Sequence, residues 1–153
     1  MDKQYKRRIY QDTNGIDLLI EPVSTNEVEE YEFCIVQTES DCRARFEVLP
    51  SPNSKSKVTI YIYAEGNSKV DCVCTLKVPK HVAGAETDIQ IRSWPFDRAR
   101  INARPEMFIE NSDVIAAHGN ALGTLDAEQR YYLATKGIDD YKQLIKESLL
   151  EDA

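Results

Sequence analysis

The chain is poor in the features that mark secreted and membrane proteins. It has four cysteines among 153 residues and contains no apolar run of about 18 residues, the length that spans a bilayer. Its first eight residues lead into Ile9-Tyr-Gln-Asp-Thr-Asn-Gly15, which does not resemble the apolar segment of a conventional signal peptide. We therefore expect no membrane span and a cytoplasmic location, where the cysteines stay reduced.

Basic charge is scarce as well. The 19 lysines and arginines are outnumbered by 26 aspartates and glutamates, which gives a formal net charge of −7. A surface that binds phosphate backbones needs the opposite balance. Four arginines fall in one segment, at positions 92, 98, 100 and 104, but this spacing is more typical of a solvated strand face. Nucleic acid is therefore not an expected partner.

Catalytic motifs are also lacking. The chain has no phosphate-binding loop, no G-x-G-x-x-G and no Ser/His/Asp order, and no spacing of paired carboxylates stands out. The glycine pair Gly119 and Gly123 lacks the lysine that a phosphate loop needs. His81 lies in a loop with nothing to mark it. The sequence therefore predicts a protein that is not an enzyme.

What the chain has in quantity is an alternation of apolar and polar residues with a period of two. Val58, Ile60 and Ile62 fall on one face of a strand, and the longest pattern runs from Val70 to Val78. Such alternation predicts strands together with the face that each strand buries. The predicted strands cover residues 16–20, 31–36, 42–49, 58–63, 70–78, 87–93, 99–103 and 107–115. They fit a sandwich, a barrel or a β-helix, and no strict repeat is visible that would single out the last.

From Thr124 onwards the apolar period becomes three to four, which predicts two short helices that meet near Gly137. The inner face of the first consists of Leu125, Tyr132 and Leu133. The stripe of the second consists of Tyr141, Leu144, Ile145, Ser148 and Leu149. Helices this short must dock on the β body, on a partner protein, or on both. We therefore divide the chain into a β core domain, residues 1–123, and a C-terminal helical segment, residues 124–153.

Three residues are candidate ligands. Cys72 and Cys74 lie on the same side of one predicted strand, within reach of a shared metal ion. Structural zinc sites more often use a C-x-x-C turn with further ligands elsewhere, and the alternation with Val70 and Leu76 favours core packing, since buried cysteine behaves as a small hydrophobe. His118 stands where the extended region ends, and both a structural role and a role as ligand or base are open.

The residues around His118 resemble the C-terminal core of the SufB/SufD family. The resemblance rests on Asn102-Ala-Arg-Pro-Glu-Met-Phe-Ile109, Asp113-Val-Ile-Ala-Ala-His-Gly-Asn-Ala-Leu-Gly-Thr-Leu-Asp126 and Glu128-Gln-Arg-Tyr-Tyr-Leu-Ala-Thr-Lys-Gly-Ile138. The corresponding family patterns run approximately as K-P-E-L-E-I, D-V-x-C-x-H-G-A-x-x-G, L-D-E-E-x-x-F-Y-L and R-G-I. The specific match covers about residues 98–138, and its motifs fall in the family's order. The chain resembles a short form without the N-terminal helical domain of full-length members.

The resemblance implies a mainly β fold, a right-handed parallel β-helix followed by a short C-terminal α-helical segment. It implies a place in iron–sulfur cluster assembly, where SufB-like and SufD-like chains pair through their β-helices and the helical segment docks a SufC-type ABC ATPase. His118 matches the interface histidine of the family. The residues implied in ATPase docking are Leu125, Tyr131, Tyr132, Leu133, Ile138, Tyr141, Leu144 and Ile145.

The chain also departs from the family patterns. Ala116 stands where the SufD-type motif has a cysteine, and Ala117 and Gly119 stand where the SufB-type motif has glutamates. No cysteine occurs near Ile89 or Gln90, where SufB supplies one. Iron needs thiolates or several nitrogen and oxygen ligands. These departures favour a SufD-like accessory subunit over a complete scaffold.

We therefore expect a SufC-type ATPase and either a SufB-like chain or a second copy of this chain as partners, with His118 at the interface. The only cofactors that the resemblance implies are iron and a transient iron–sulfur cluster. One alternative is a stand-alone metal or cluster carrier that uses Cys72, Cys74 and His118. Another is a β-helix interaction module that has no ATPase partner.

Overall fold

The structure, a computed structural model, describes residues 5–123 and 141–151. Within these ranges it contains nine strands and one helix. The strands are β1 (Tyr5–Gln11), β2 (Gly15–Ile20), β3 (Glu29–Gln37), β4 (Cys42–Val48), β5 (Lys55–Ala64), β6 (Lys69–Val78), β7 (Glu86–Pro95), β8 (Arg100–Ile109) and β9 (Ile115–Leu122), and the helix is α1 (Tyr141–Leu150). Across the ranges described, no helix has the length and apolar character needed to traverse a bilayer.

The strands form two parallel sheets around one core. The first sheet has the order β1-β3-β5-β7-β9 and the second has the order β2-β4-β6-β8. Successive strands alternate between the sheets, so the chain winds as a solenoid of about four coils. This confirms the expected parallel β-helix, and it excludes the sandwich and barrel that the strand spacing alone left open.

The alternation in the sequence determines which side chains fill the solenoid. Along β6, the even-numbered residues from Val70 to Val78 are buried, whereas Asp71 and Lys77 face outward. Buried residues stack in register from coil to coil; Ile60, for example, pairs with Phe33 on one side and Ile91 on the other. Full burial of each such side chain stabilises the fold by roughly 1.5–3 kcal/mol.

The coils differ in length, which explains why no strict repeat is visible in the sequence. In the second sheet, residue 16 pairs with 44, 44 with 72 and 72 with 103, so the offsets are 28, 28 and 31 residues. In the first sheet, residue 31 pairs with 58, 58 with 89 and 89 with 118, so the offsets are 27, 31 and 29 residues. The turns between strands absorb these differences, so the strands stay in register while the sequence period varies.

Hydrogen bonds also join the corner turns of neighbouring coils. Gly66 and Asp97 take left-handed backbone conformations, with φ of 68° and 58°, after β5 and β7. The Gly66 amide donates to Asp97 Oδ2 at 3.0 Å, and the Gly66 carbonyl accepts from the Arg98 amide at 3.0 Å. Backbone groups that leave the ladders at each corner therefore find partners in the next coil.

The helix α1 packs on the outer face of the first sheet. Leu149 is buried against Cys34, Val36 and Tyr63, and Ile145 packs on the same cluster. This contact explains why β3 and β5 are buried on both faces near their carboxyl ends. The sequence predicted this helix and its apolar stripe, and the structure shows that the β body covers part of the stripe.

Polar contacts fix α1 at both ends. Lys142 Nζ lies 3.0 Å from both Glu65 Oε2 and Asp97 Oδ2, and Lys146 Nζ lies 2.9 Å from Glu65 Oε1. Arg7 donates to the Leu149 carbonyl at 2.9 Å, which satisfies a carbonyl that the end of the helix leaves without an intrahelical partner. The helix therefore contacts the first, second, third and fourth coils at once.

Two sequence-based strand predictions were wrong. Residues 99–103 and 107–115 were expected as separate strands, but β8 is continuous from Arg100 to Ile109 and a corner precedes β9. β8 includes Pro105 without interruption. The Arg100 and Glu110 amides donate to the preceding coil, so the odd-numbered position 105 faces the edge that has no neighbour among the described residues, and its missing amide leaves no ladder bond unmade.

The first strand, β1, was also not predicted. Its sequence, Tyr-Lys-Arg-Arg-Ile-Tyr-Gln, lacks the apolar alternation of the later strands. The reason is that β1 is an edge strand in the described residues, with β3 on one side only. A strand at the edge of a solenoid has less apolar surface to bury, so the periodic signal is weak.

The contacts of α1 predict that its docking depends on pH. Burial raises the pKa of Glu65, but hydrogen bonds from Lys146 and Lys142 outweigh this and hold the pKa below its ordinary value. The hydrogen bond from the Gly66 amide, followed by that from Lys142, lowers the pKa of Asp97. Both groups are therefore more acidic when folded, so their stabilising effect is complete above the ordinary carboxyl pKa and is lost as the pH falls through the lowered values.

Acidification from pH 6 to pH 3 should therefore release α1. The only tryptophan, Trp94, packs on the cluster beneath the helix, so its fluorescence reports the release. In Glu65→Gln the helix should be held more weakly at pH 7, by about 1 kcal/mol, and the acid transition should become shallower. If the wild type and Glu65→Gln give the same fluorescence profile from pH 7 to pH 3, the ion pairs do not hold the helix.

Candidate functional site

His118 lies in β9 (Ile115–Leu122). In the described residues β8 and β9 are the last strands of their sheets, and we call the end of the solenoid that they form the open end. His118 pairs in register with Ile89, and Asn120 pairs with Ile91. Ile89 and Ile91 are fully buried, and residues paired in a parallel ladder point to the same face. The side chains of His118 and Asn120 therefore point to the same side as the core residues, and we call these positions of β9 the inward line. Among the described residues β9 has no further strand beyond it, so both side chains are exposed.

The position of His118 differs from the one expected from the sequence. His118 was placed where the extended region ends, whereas it lies in the middle of a strand that continues to Leu122. The segment shows little alternation because the open end buries few of its side chains. Asn120 was not singled out from the sequence; its Nδ2 donates to the Ala103 carbonyl of β8 at 2.7 Å and joins the two sheets at this end.

The structure explains the glycine pair that follows the histidine. A Cβ at Gly119 would overlap the side-chain amide of Gln90, and a Cβ at Gly123 would overlap the Trp94 indole. The two glycines therefore allow β7 side chains to lie across the backbone of β9. This role is one of close packing rather than phosphate binding.

Cys72 and Cys74 are enclosed in the core and make no disulfide. Burial raises the pKa of Cys72 above its ordinary value and raises the pKa of Cys74 to about 12. Both are therefore neutral thiols at pH 7, whereas metal ions and electrophiles react with the thiolate. Cys34 and Cys42 are also buried and free, with thiol pKa values that burial raises.

The two core cysteines are also distant from the histidine. Cys74 pairs with Pro105 of β8, so the coil formed by β7 and β8 lies between β6 and β9. With ~4.8 Å between neighbouring strands, two coil steps put roughly 10 Å between these layers along the solenoid. The structure does not bring Cys72, Cys74 and His118 together.

A metal ion or cluster does not fit the residues that this chain presents. Within residues 5–123 and 141–151, no group of three or more His, Cys, Asp or Glu residues is placed to hold a metal ion. His118 offers a single imidazole, and Ala116, two residues before it on the inward line, has no ligand atom. Iron bound here would need most of its ligands from another chain.

Apolar side chains are exposed around the same open end. Ile115 is 65% exposed, Leu122 64% and Phe108 58%. They flank the free edges of β8 and β9, whose backbone groups lack a ladder partner on one side in the described residues. A free strand edge beside exposed apolar residues is a surface suited to pairing with another chain.

The helical segment is described only from Tyr141 onwards. Of the residues implied in docking, Leu144 is 47% exposed, and Ile145 packs against the β body. The remaining ones, Leu125, Tyr131, Tyr132, Leu133, Ile138 and the side chain of Tyr141, lie outside the described residues. Leu144 is therefore the large apolar residue that α1 leaves exposed among the described residues.

Comparison with known proteins connects this fold to one family. The family model "SUF system FeS cluster assembly, SufBD core domain" matches residues 20–143. A relative from Synechocystis sp., described as an iron–sulfur cluster assembly SufBD family protein, is 39% identical over 44 residues, which are 29% of this chain. The match spans only 10% of that relative's length. Because the family model covers most of a chain that folds as a parallel β-helix, the chain belongs to the SufBD family of the SUF system for iron–sulfur cluster assembly.

Proposed function

We propose that the chain is a SufD-like accessory subunit of iron–sulfur cluster assembly, which pairs through its open end and binds a SufC-type ABC ATPase through residues 124–150. The observation that carries this proposal is the match of the family model to residues 20–143, a range that contains both His118 and residues 124–140. The family assignment also supports the expected cytoplasmic location and a scaffold or accessory role rather than catalysis.

Pairing would cover the most exposed apolar part of the described solenoid. Ile115, Leu122 and Phe108 lie at the free edges of β8 and β9. Joining these edges to a SufB-like chain or to a second copy would satisfy the backbone groups and bury the apolar side chains together. His118, on the inward line of β9, would then lie beside the partner's residues.

Replacing Leu122 with aspartate should disrupt this pairing. A carboxylate buried at the interface without a partner should weaken self-association at least about tenfold. The measurement is the mass by light scattering at micromolar concentration, alone and with a SufB-like chain. Val23→Asp is the matched control, since Val23 is 52% exposed on the loop before β3. A mass that Leu122→Asp leaves unchanged would contradict pairing through this end.

Docking of the ATPase would use the side of α1 that faces away from the β body. Ile145 and Leu149 contact the first sheet and hold the helix in place, so Leu144 is left to contact a partner. Residues 124–140 would supply the rest of the surface, as the resemblance implies. In this view residues 1–123 form the pairing domain and residues 124–153 form a helical arm.

Leu144→Glu should abolish or strongly weaken co-purification with a SufC-type ATPase, because it places a charge in an apolar contact. Thermal stability should change little, since Leu144 is 47% exposed. Leu19→Glu is the matched control, because Leu19 is 49% exposed on β2. Deletion of residues 124–153 should have the same effect as Leu144→Glu. Undiminished binding after that deletion would rule out this docking site.

The ligand geometry predicts that the isolated chain does not hold a cluster. After anaerobic incubation with iron and sulfide, followed by desalting, the protein alone should stay colourless, because His118 supplies one imidazole at the open end and no exposed thiol accompanies it among the described residues. Iron and sulfide retained by the wild type but lost in Cys72→Ser or His118→Ala would favour the stand-alone carrier instead.

A further inference from the structure

A groove crosses the outer face of the second sheet, on a surface that neither α1 nor the open end occupies. Its central cavity has a volume of about 570 Å³. Its charged lining residues are three arginines and two aspartates, and its uncharged ones include a glycine and a valine: Arg43, Arg45, Arg104, Asp17, Asp71, Gly15 and Val73. Two smaller cavities, of about 400 and 330 Å³, share several of these residues and extend it in both directions. We refer to the central cavity as the sheet groove.

The shape of the sheet groove follows from the register of the strands. Arg45 of β4, Val73 of β6 and Arg104 of β8 are paired side by side, so a short side chain lies between two long ones. Next to Arg43, Gly15 of β2 contributes no side chain. The backbones of β4 and β8 are two strand spacings apart, roughly 10 Å, so the arginines form walls and Val73 forms the floor.

Positive charge in the sheet groove is only partly compensated. Arg104 is ion-paired with Glu106 at 3.2 Å and with Asp71 at 3.9 Å, which holds it on the wall. Arg43 and Arg45 are exposed, and their side chains make no ion pair or hydrogen bond with any residue that the structure describes. They sit two positions apart on one face of β4, roughly 7 Å along the strand.

The groove also contains an unused acceptor. Asp71 Oδ1 is buried and has no hydrogen-bond partner within the described part of the chain. Arg104 offsets its charge at 3.9 Å, but this distance is too long for a hydrogen bond. The Asp71 side chain as a whole is 49% exposed, so its other oxygen, Oδ2, is open to the groove. A ligand that carries a hydroxyl beside its anionic group would donate to this oxygen while the anion contacts the arginines.

We propose that the sheet groove binds a small hydroxylated anion, a carboxylate or a phosphate, between Arg43, Arg45 and Arg104. Guanidinium groups present two parallel donors that match carboxylate and phosphate oxygens. A cavity of about 570 Å³ is of the size that takes a small organic molecule. The chain as a whole carries −7, so two exposed arginines that have no partner among the described residues, Arg43 and Arg45, are against the general trend of its surface.

The surroundings of the groove limit the ligand to a short one. Glu47, Glu106 and Lys77 line the cavity beyond Arg45, and Asp41, Lys69 and Arg100 line the cavity beyond Arg43. These three carboxylates and three cations cancel, so a polyanion that extended along the strands would gain little attraction outside the central cavity. The surface therefore favours a compact anion over a nucleic acid.

The test is a titration of the full chain with citrate and, separately, with glycerol 3-phosphate, followed by backbone amide shifts in two-dimensional NMR at constant ionic strength. Saturable shifts in β4 and β6 with either probe support the site, and the tighter probe identifies the anion. Arg45→Gln and Arg43→Gln should each weaken binding about tenfold or more, because a charge-assisted pair is lost. Arg92→Gln is the matched control, since Arg92 is exposed on β7 of the other sheet.

The role of Asp71 is tested with propane-1,2,3-tricarboxylate, which is citrate without its hydroxyl. The wild type should bind citrate several-fold more tightly than this analogue, and the preference should vanish in Asp71→Ala. A check of the thermal transition shows that each variant is folded. No saturable shift with either anion, or equal binding by Arg45→Gln and wild type, would overturn the proposal, as would a binding site mapped to another face.

Discussion

The in-register stacking of buried side chains between consecutive coils is the constraint on which the rest of the molecule depends. The Phe33–Ile60–Ile91 column fixes the coils relative to each other, and every outward position then follows from the same register. The pairing of Arg45 with Val73, and of Val73 with Arg104, makes a groove. The pairing of Ile89 with His118 places the histidine side chain on the same side as the core, at the open end. The site and the groove are therefore consequences of one packing pattern.

The two sheets differ in what covers their outer faces. α1 covers part of the first sheet through Leu149 and Ile145, and its lysines meet the acidic corners at Glu65 and Asp97. In the described part of the chain no helix covers the second sheet, and its outer face carries ionic side chains instead. The three surfaces therefore differ in chemistry. The outer face of the first sheet is apolar where α1 packs, the outer face of the second sheet is charged, and the open end exposes apolar side chains.

Much of this could be predicted from the sequence where burial imposes a period. The alternation from Val70 to Val78 gave both the strand and its buried face correctly, and the motifs around His118 indicated the family. β1 and β9 lie at the edges of the described sheet, where fewer side chains are buried, so their signals are weak. The sheet groove is lined by residues that lie between positions 15 and 104 of the sequence. Because the number of residues per coil varies, the sequence alone does not show which of them lie side by side. Among the site residues, His118 was identifiable from its motif, whereas Asn120 was not, because its bond to Ala103 spans two sheets.

The contact between Arg7 and the Leu149 carbonyl joins residues 142 positions apart. A solenoid whose coils touch only their neighbours is able to fold progressively as the chain is synthesised. α1 is made after all nine strands, yet it contacts the first coil through Arg7 and the fourth through Asp97. The helix therefore acts as a final fastening, and a nascent chain that has formed its coils still lacks the tie between the first and the last. The contacts that α1 makes with both the first and the fourth coil therefore become available only after the ninth strand has been made.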